Sequence, residues 1–200
     1  EAHKACEEAG SQLRIDPASE CVARILELSG LTRVFGLPEA GPLPDPTRQS
    51  DPMALIGSDT HESEWQVEEH VAASDPYVIS VLRDKATDVA ARAGAVGEVL
   101  CDIQIAVGEA LANAYVHGSP RRGLNRITLR CLSCGQAVAI EVEDQGEPFD
   151  PDAVPEPDPS LMRDHGMGIS LMRTAMDIVE FTSGCPGNRV RMVKWLKPRS

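Results

Sequence analysis

Apolar and polar positions along the chain fall into blocks that separate helices from strands. "PASECVARILELSGL" carries Val22, Ile25, Leu26 and Leu28 at helical spacing, with Gly30 as a stop, and predicts a helix. Before it, residues 1–9 fit a short helix ended by Gly10, and "SQLRI" fits a strand; after it, "TRVFGL" fits one more short strand. "PEAGPLPDPTRQSDPMALIGSD" combines proline, glycine and acid, resists packing and reads as a linker. "SEWQVEEHV" then predicts a strand. Asp75 stands where it can cap a helix starting at Pro76 and running to about Gly94, with Tyr77, Ile79, Val81 and Leu82 in its early turns.

A second long helix is predicted from about Glu98 to His117. Two strands follow, about Asn125 to Leu132 and Gln136 to Glu143, joined near Ser133 to Gln136, where Gly135 gives turn freedom. Pro148 to His165, with several prolines and acids, predicts a mobile loop. A helix over Ile169 to Met176 and strands near Ile178 to Thr182 and Arg189 to Leu196 complete the pattern. This order predicts an α/β two-layer sandwich, with helices packed on a mixed, mainly antiparallel sheet. It lacks the regular alternation of a doubly wound fold.

Charge narrows the range of partners. The chain carries 31 acidic and 19 basic residues, a formal net charge of -12. No broad basic patch is present, and Arg121-Arg122 and Lys194 to Arg199 read as solvated edges, so direct nucleic-acid binding is not expected. Proteins or a metal-bound nucleotide suit the composition better. No early apolar run resembles a signal peptide, and no stretch approaches the roughly 20 apolar residues of a membrane span. The opening "EAHKACEEAG" lacks an initiator methionine and reads as a trimmed or internal segment, which leaves an earlier-removed signal open.

The six cysteines show no disulfide framework in their spacing, which favours reduced thiols in a cytoplasm. Cys131 and Cys134 in "CLSCG" could be half of a zinc site or a redox pair. A second pair at useful spacing is missing, so they read instead as part of a hairpin.

Three short motifs carry chemistry. "GEALANAYVHG" (108–118) puts Glu109 and Asn113 one turn apart on one helix face. An amide oxygen can coordinate Mg2+ without adding charge, and a carboxylate beside it can take a proton or orient water. Alone, the pair could equally be an ordinary helix surface. "VEDQGEPFD" places Asp144 at a strand end, where a carboxylate can accept from an adenine amino group, and Gly146 lets the chain turn closely around a ligand. "HGMGISLM" opens a helix with Gly166 and Gly168, which let backbone amides approach phosphate oxygens.

Taken in this order, residues 62–197 resemble the ATP-binding domain of the anti-sigma factor serine kinases. These sit within the wider family shared by histidine kinases, gyrases, Hsp90 and MutL-type ATPases, whose two-layer architecture is the Bergerat fold. The resemblance implies Glu109 as general base, Asn113 as Mg2+ ligand and Asp144 as the adenine-recognising residue. It also implies that Gly146 shapes the base pocket and that Gly166 and Gly168 line a phosphate lid over residues 147–165. ATP and Mg2+ are the implied cofactors. Two positions depart from the family pattern. Glu147 replaces the second glycine of the first glycine motif, where it would repel phosphates unless turned outward. Gly187-Asn188-Arg189 stands where the family often has Gly-Thr, and Asn188 is expected to replace the hydroxyl as a hydrogen-bonding group.

Residues 1–37, through "RILELSGLTRVF", are similar to the last half of a STAS domain, the anti-sigma factor antagonist fold; residues 38–61 form the linker. The earlier strands and phosphorylatable serine of such a domain would lie before Glu1. A remnant of this kind leaves strand edges and an apolar face to cover. It would pack on the kinase-like region, pair with another chain or, the preferred reading, belong to a longer parent. The resemblance implies a cytoplasmic serine protein kinase that holds a sigma factor and phosphorylates a serine of a STAS antagonist. A homodimer is left open, and no membrane partner is expected. The alternative is an anti-sigma or regulatory binding module that binds nucleotide without phosphotransfer.

Overall fold

A computed structural model describes residues 20–29, 65–118, 124–153, 167–184 and 187–196. The expected helix over 1–9, the strands "SQLRI" and "TRVFGL" and the 38–61 linker lie outside the described residues. The described elements are α1 (Glu20–Leu28), β1 (Gln66–Ala73), α2 (Pro76–Ala93) and α3 (Gly97–Val116), then β2 (Arg126–Cys134) and β3 (Ala137–Glu143). A 3-10 turn (Pro151–Ala153), α4 (Met167–Ala175), β4 (Ile178–Gly184) and β5 (Gly187–Trp195) follow.

The five strands form one antiparallel sheet in the order β1-β2-β3-β5-β4. Because side chains alternate across a strand, the register sorts residues onto two faces. Leu129 pairs with Val142, Cys131 with Ile140, and Ile140 with Met192, so their buried side chains share the face that α2, α3 and α4 cover. Val138, Ile127 and Val190 complete that layer against Ile103, Val107 and Leu111 of α3. Leu111 is 0% exposed, and its truncation to alanine would cost about 2–5 kcal/mol.

Local chemistry sets the helix ends. The Asp75 carboxylate accepts from the Tyr77 amide at 2.8 Å, and Pro76 occupies the first turn, where its missing N–H costs nothing. Gly94, at φ 106, closes α2 in the left-handed region and donates back to Ala90 and Ala91. The β2–β3 turn is tighter than expected: Cys134 pairs with Ala137, so Gly135 and Gln136 make the whole loop and Ser133 stays in the strand.

Three expectations are corrected. Gly97–Val116 is long and apolar enough, by length and composition, to cross a membrane. It is a core helix here, its buried face running from Cys101 to Ala114 against the sheet and its neighbouring helices. In α1 the inward face is Leu26 and Leu28, whereas Val22 and Ile25 are exposed. The expectation of reduced thiols fails for one pair, because Cys21 of α1 is disulfide-bonded to Cys101 of α3. Their separation of 80 residues is closed by helix packing, which spacing along the chain does not reveal.

Helix α1 packs against α3, joined by charge as well as by the disulfide. The Arg24 guanidinium donates to Asp102 Oδ1 at 2.7 Å and Oδ2 at 3.3 Å, and Lys194 Nζ reaches the same carboxylate at 2.7 Å. Cys131 and Cys134 are free thiols three positions apart in β2, hence on opposite sheet faces, and cannot chelate one ion together. Burial pushes the Cys131 thiol up to about 12, which keeps it protonated and a poor nucleophile.

Candidate functional site

The C-terminal half of α3 carries Glu109 and Asn113, one helical turn apart and both half-buried. Alanines at 110 and 114 face the core, so this face can lie close to its neighbours. The neighbour is the first turn of α4. A methyl group placed on Gly168 would stand 2.7 Å from Glu109 Oε2 and 3.6 Å from Asn113 Nδ2. A larger residue there would displace the Glu109 carboxylate. Desolvation raises the Glu109 carboxyl above its ordinary 4.5, making it a better proton acceptor near neutrality than an exposed glutamate.

The end of α3 then wraps toward Asp144. The Asn113 carbonyl accepts from both the His117 and Gly118 amides, at 2.9 and 3.3 Å, and the Gly118 carbonyl accepts from Gln145 at 3.3 Å. A Cβ on Gly118 would collide with the Asp144 side chain, and one on Gly146 would lie 2.6 Å from Gly118 Cα. Two glycines from two motifs therefore interlock beneath the carboxylate. Asp144 itself follows β3. Its Oδ1 accepts from the Gly146 amide at 2.8 Å, the Asn188 side-chain amide at 3.1 Å and the Asn188 backbone at 3.3 Å.

The fold thus joins Glu109, Asn113 and Gly168 in one group and Asp144, Gly146 and Gly118 in a second, bridged through the end of α3. Gly166 lies outside the described residues, as do residues 154–165 of the expected lid. Gly118 and Gly187 are contributors that the sequence alone does not single out. Gly118 ends the 108–118 motif, but its need to be glycine arises from Asp144, 26 positions away. Gly187, at φ 113, packs against the Asp144 carbonyl. Asn188, the expected hydrogen-bonding replacement for a hydroxyl, bonds to Asp144 through both its side chain and its backbone. The other departure, Glu147, has an exposed side chain, and its carbonyl accepts from the Asn188 amide at 2.9 Å.

The groups fit a purine nucleotide: a carboxylate that can accept from an exocyclic amine, and Gly168 in the first turn of a helix for phosphates. Among the described residues no three His, Cys, Asp or Glu side chains cluster as a metal site. Mg2+ is commonly held by one or two side chains together with phosphates and water, so Asn113 beside Glu109 fits that cation.

A helical layer on an antiparallel sheet, with these motifs at one end, defines the class as a histidine kinase-like ATPase fold. The family profile described as "Histidine kinase-like ATPase domain" matches residues 72–194, and the chain belongs to that family. Relatives place it among the anti-sigma factor serine kinases. It is 32% identical over 114 residues to "Serine-protein kinase RsbW" of Listeria monocytogenes serotype 4a (strain HCC23), covering 52% of this chain and 72% of the relative. It is 35% identical over 105 residues to "Anti-sigma F factor" of Thermoanaerobacter sp. (strain X514), covering 50% and 72%. A crystal structure of the RsbU and RsbW domains of Rv1364c from Mycobacterium tuberculosis shares the fold, with a TM-score of 0.50 and 16% identity. The match covers 66% of this chain and 33% of that one.

Proposed function

We propose that this chain is an ATP- and Mg2+-dependent serine protein kinase that acts as an anti-sigma factor, sequestering a sigma factor and phosphorylating a serine of a STAS antagonist. The observation that carries the reading is the meeting of Glu109, Asn113 and Gly168, linked through the end of α3 to the group around the Asp144 carboxylate. The names of the RsbW and anti-sigma F relatives support the partner classes. When bound, Mg-ATP supplies the transferable phosphoryl group and neutralises its developing charge.

The residues divide the remaining work. Asp144 receives the base amine, and Asn113 holds the metal through its amide oxygen. Glu109 takes the proton of the serine hydroxyl, a role suited to a carboxyl raised by burial. Its neighbour Gly168 keeps that oxygen unobstructed.

The test is phosphotransfer from ATP to a STAS antagonist, with nucleotide affinity measured alongside. Glu109→Gln is expected to keep most ATP affinity and lose at least about tenfold in transfer rate. Asn113→Ala is expected to lose Mg-ATP affinity and transfer together. Normal transfer by Glu109→Gln removes Glu109 from the role. Wild-type protein that binds Mg-ATP but transfers nothing to its antagonist supports the binding-module alternative instead.

A further inference from the structure

Asn188 occupies the position where the resembled pattern has a hydroxyl, and it does more than a hydroxyl can. Its side-chain nitrogen donates to Asp144 Oδ1 at 3.1 Å and to the Glu147 carbonyl at 2.9 Å, while its side-chain oxygen accepts from the Phe149 amide at 3.0 Å. Two donors and one acceptor are used at once. A flipped amide would set oxygen against a carboxylate and a carbonyl, so the partners fix its orientation. A threonine has a single proton to donate and cannot satisfy Asp144 and Glu147 together. The backbone adds a reciprocal pair: Asp144 N donates to the Asn188 carbonyl at 2.9 Å and Asn188 N donates to Asp144 Oδ1 at 3.3 Å.

The consequence lies on Asp144. Among the described residues, its hydrogen-bond donors all address Oδ1: Gly146, the Asn188 amide and the Asn188 backbone. Oδ2 takes none of them. We propose that Asn188 is a positioning residue that sets base selectivity by locking Asp144 with Oδ1 consumed and Oδ2 left as a lone acceptor. A lone acceptor matches the 6-amino group of adenine and meets the 6-oxo group of guanine as acceptor against acceptor. The same side chain binds the backbone of residues 147–149, so the two departures from the family pattern form one bonded unit. Glu147, lacking the freedom of glycine, has its carbonyl held while its side chain stays exposed.

This inference rests on the nucleotide reading of the site, and the experiment separates the two. ATP and GTP affinities are measured by calorimetry for wild type, Asn188→Ala and Asn188→Thr, with a melting scan of each. Hydrogen exchange at residues 145–150 is measured without nucleotide. The expected result for Asn188→Ala is about a tenfold loss of ATP affinity with GTP affinity little changed, since one charge-assisted hydrogen bond orders the carboxylate. Asn188→Thr should recover part of the preference, because it restores one donor to Asp144, and exchange at residues 147–149 should lie between wild type and Asn188→Ala, since a hydroxyl can still accept from the Phe149 amide. A parallel fall for both nucleotides that tracks the melting temperature would mean a merely structural role and would overturn the proposal. Wild type with an ATP preference that Asn188→Ala retains would overturn it too, leaving the nucleotide reading intact. Wild type that binds neither nucleotide would sink the nucleotide reading and this one with it.

Discussion

Helix α3 carries one buried and one half-buried carboxylate seven residues apart, and the protein treats them in opposite ways. Asp102, in the N-terminal half, is 2% exposed and is ringed by cations: Arg24 from α1 and Lys194 from β5. Glu109, in the other half, is partly desolvated and has no cation beside it among the described salt bridges, so its carboxyl is raised. A buried charge that is fully paired holds elements together. One left unpaired keeps a basicity that chemistry can use. The first half of α3 is therefore a docking surface for α1, sealed by Cys21–Cys101, and the second is the candidate site.

The largest expected effect comes from breaking the paired half. Asp102→Ala would strand Arg24 and Lys194, which are 15% and 13% exposed, and should cost about 3–5 kcal/mol in urea unfolding. An unchanged midpoint would mean that the network contributes nothing. Next, reducing the disulfide or making the Cys21→Ser, Cys101→Ser double variant should cost about 2–4 kcal/mol. Because the bridge ties α1 to α3, hydrogen exchange should rise first in residues 20–29, while exchange near Glu109 stays as in wild type. Loosening of the Glu109 region under the same conditions would show that the two halves of α3 are coupled.

On the candidate-site side, Gly118→Ala should cost about 1–3 kcal/mol, as overpacking does, and displace Asp144. ATP binding should fall more than stability predicts, a comparison made by calorimetry beside thermal melting. The smallest effect on stability has the opposite sign. Glu109 has a folded pKa above its ordinary 4.5, so its penalty is absent below that pH and complete once pH exceeds the raised value. Glu109→Gln should therefore melt higher than wild type near neutrality, and the difference should close as pH falls toward 4.5. A difference that instead widened with acid would contradict an unpaired, desolvated carboxylate.

Much of the architecture was legible because it is local. Asp75-Pro76 and Gly94 bound α2 through hydrogen bonds a few residues long, and period-two alternation marked β2. The Glu109–Asn113 pair was equally legible, since a four-residue spacing on a helix places both side chains on one face without help from elsewhere. Boundaries shifted by one to three residues, and at the β2–β3 turn the reason is that cross-strand pairing rather than the glycine alone decides where a hairpin reverses.

What the sequence determined by itself were the elements, the sandwich class and the three motifs, all set by interactions between near neighbours. Tertiary structure alone decided the pairings across distance. It joined Cys21 to Cys101, set Arg24 and Lys194 on the same carboxylate, and required glycine at 118 because Asp144 fills the space beside it. Asn188 shows the physical reason most directly. An asparagine in a hairpin could donate to many partners, and only when β5 lies beside β3 do Asp144, Glu147 and Phe149 converge on its three hydrogen-bonding atoms.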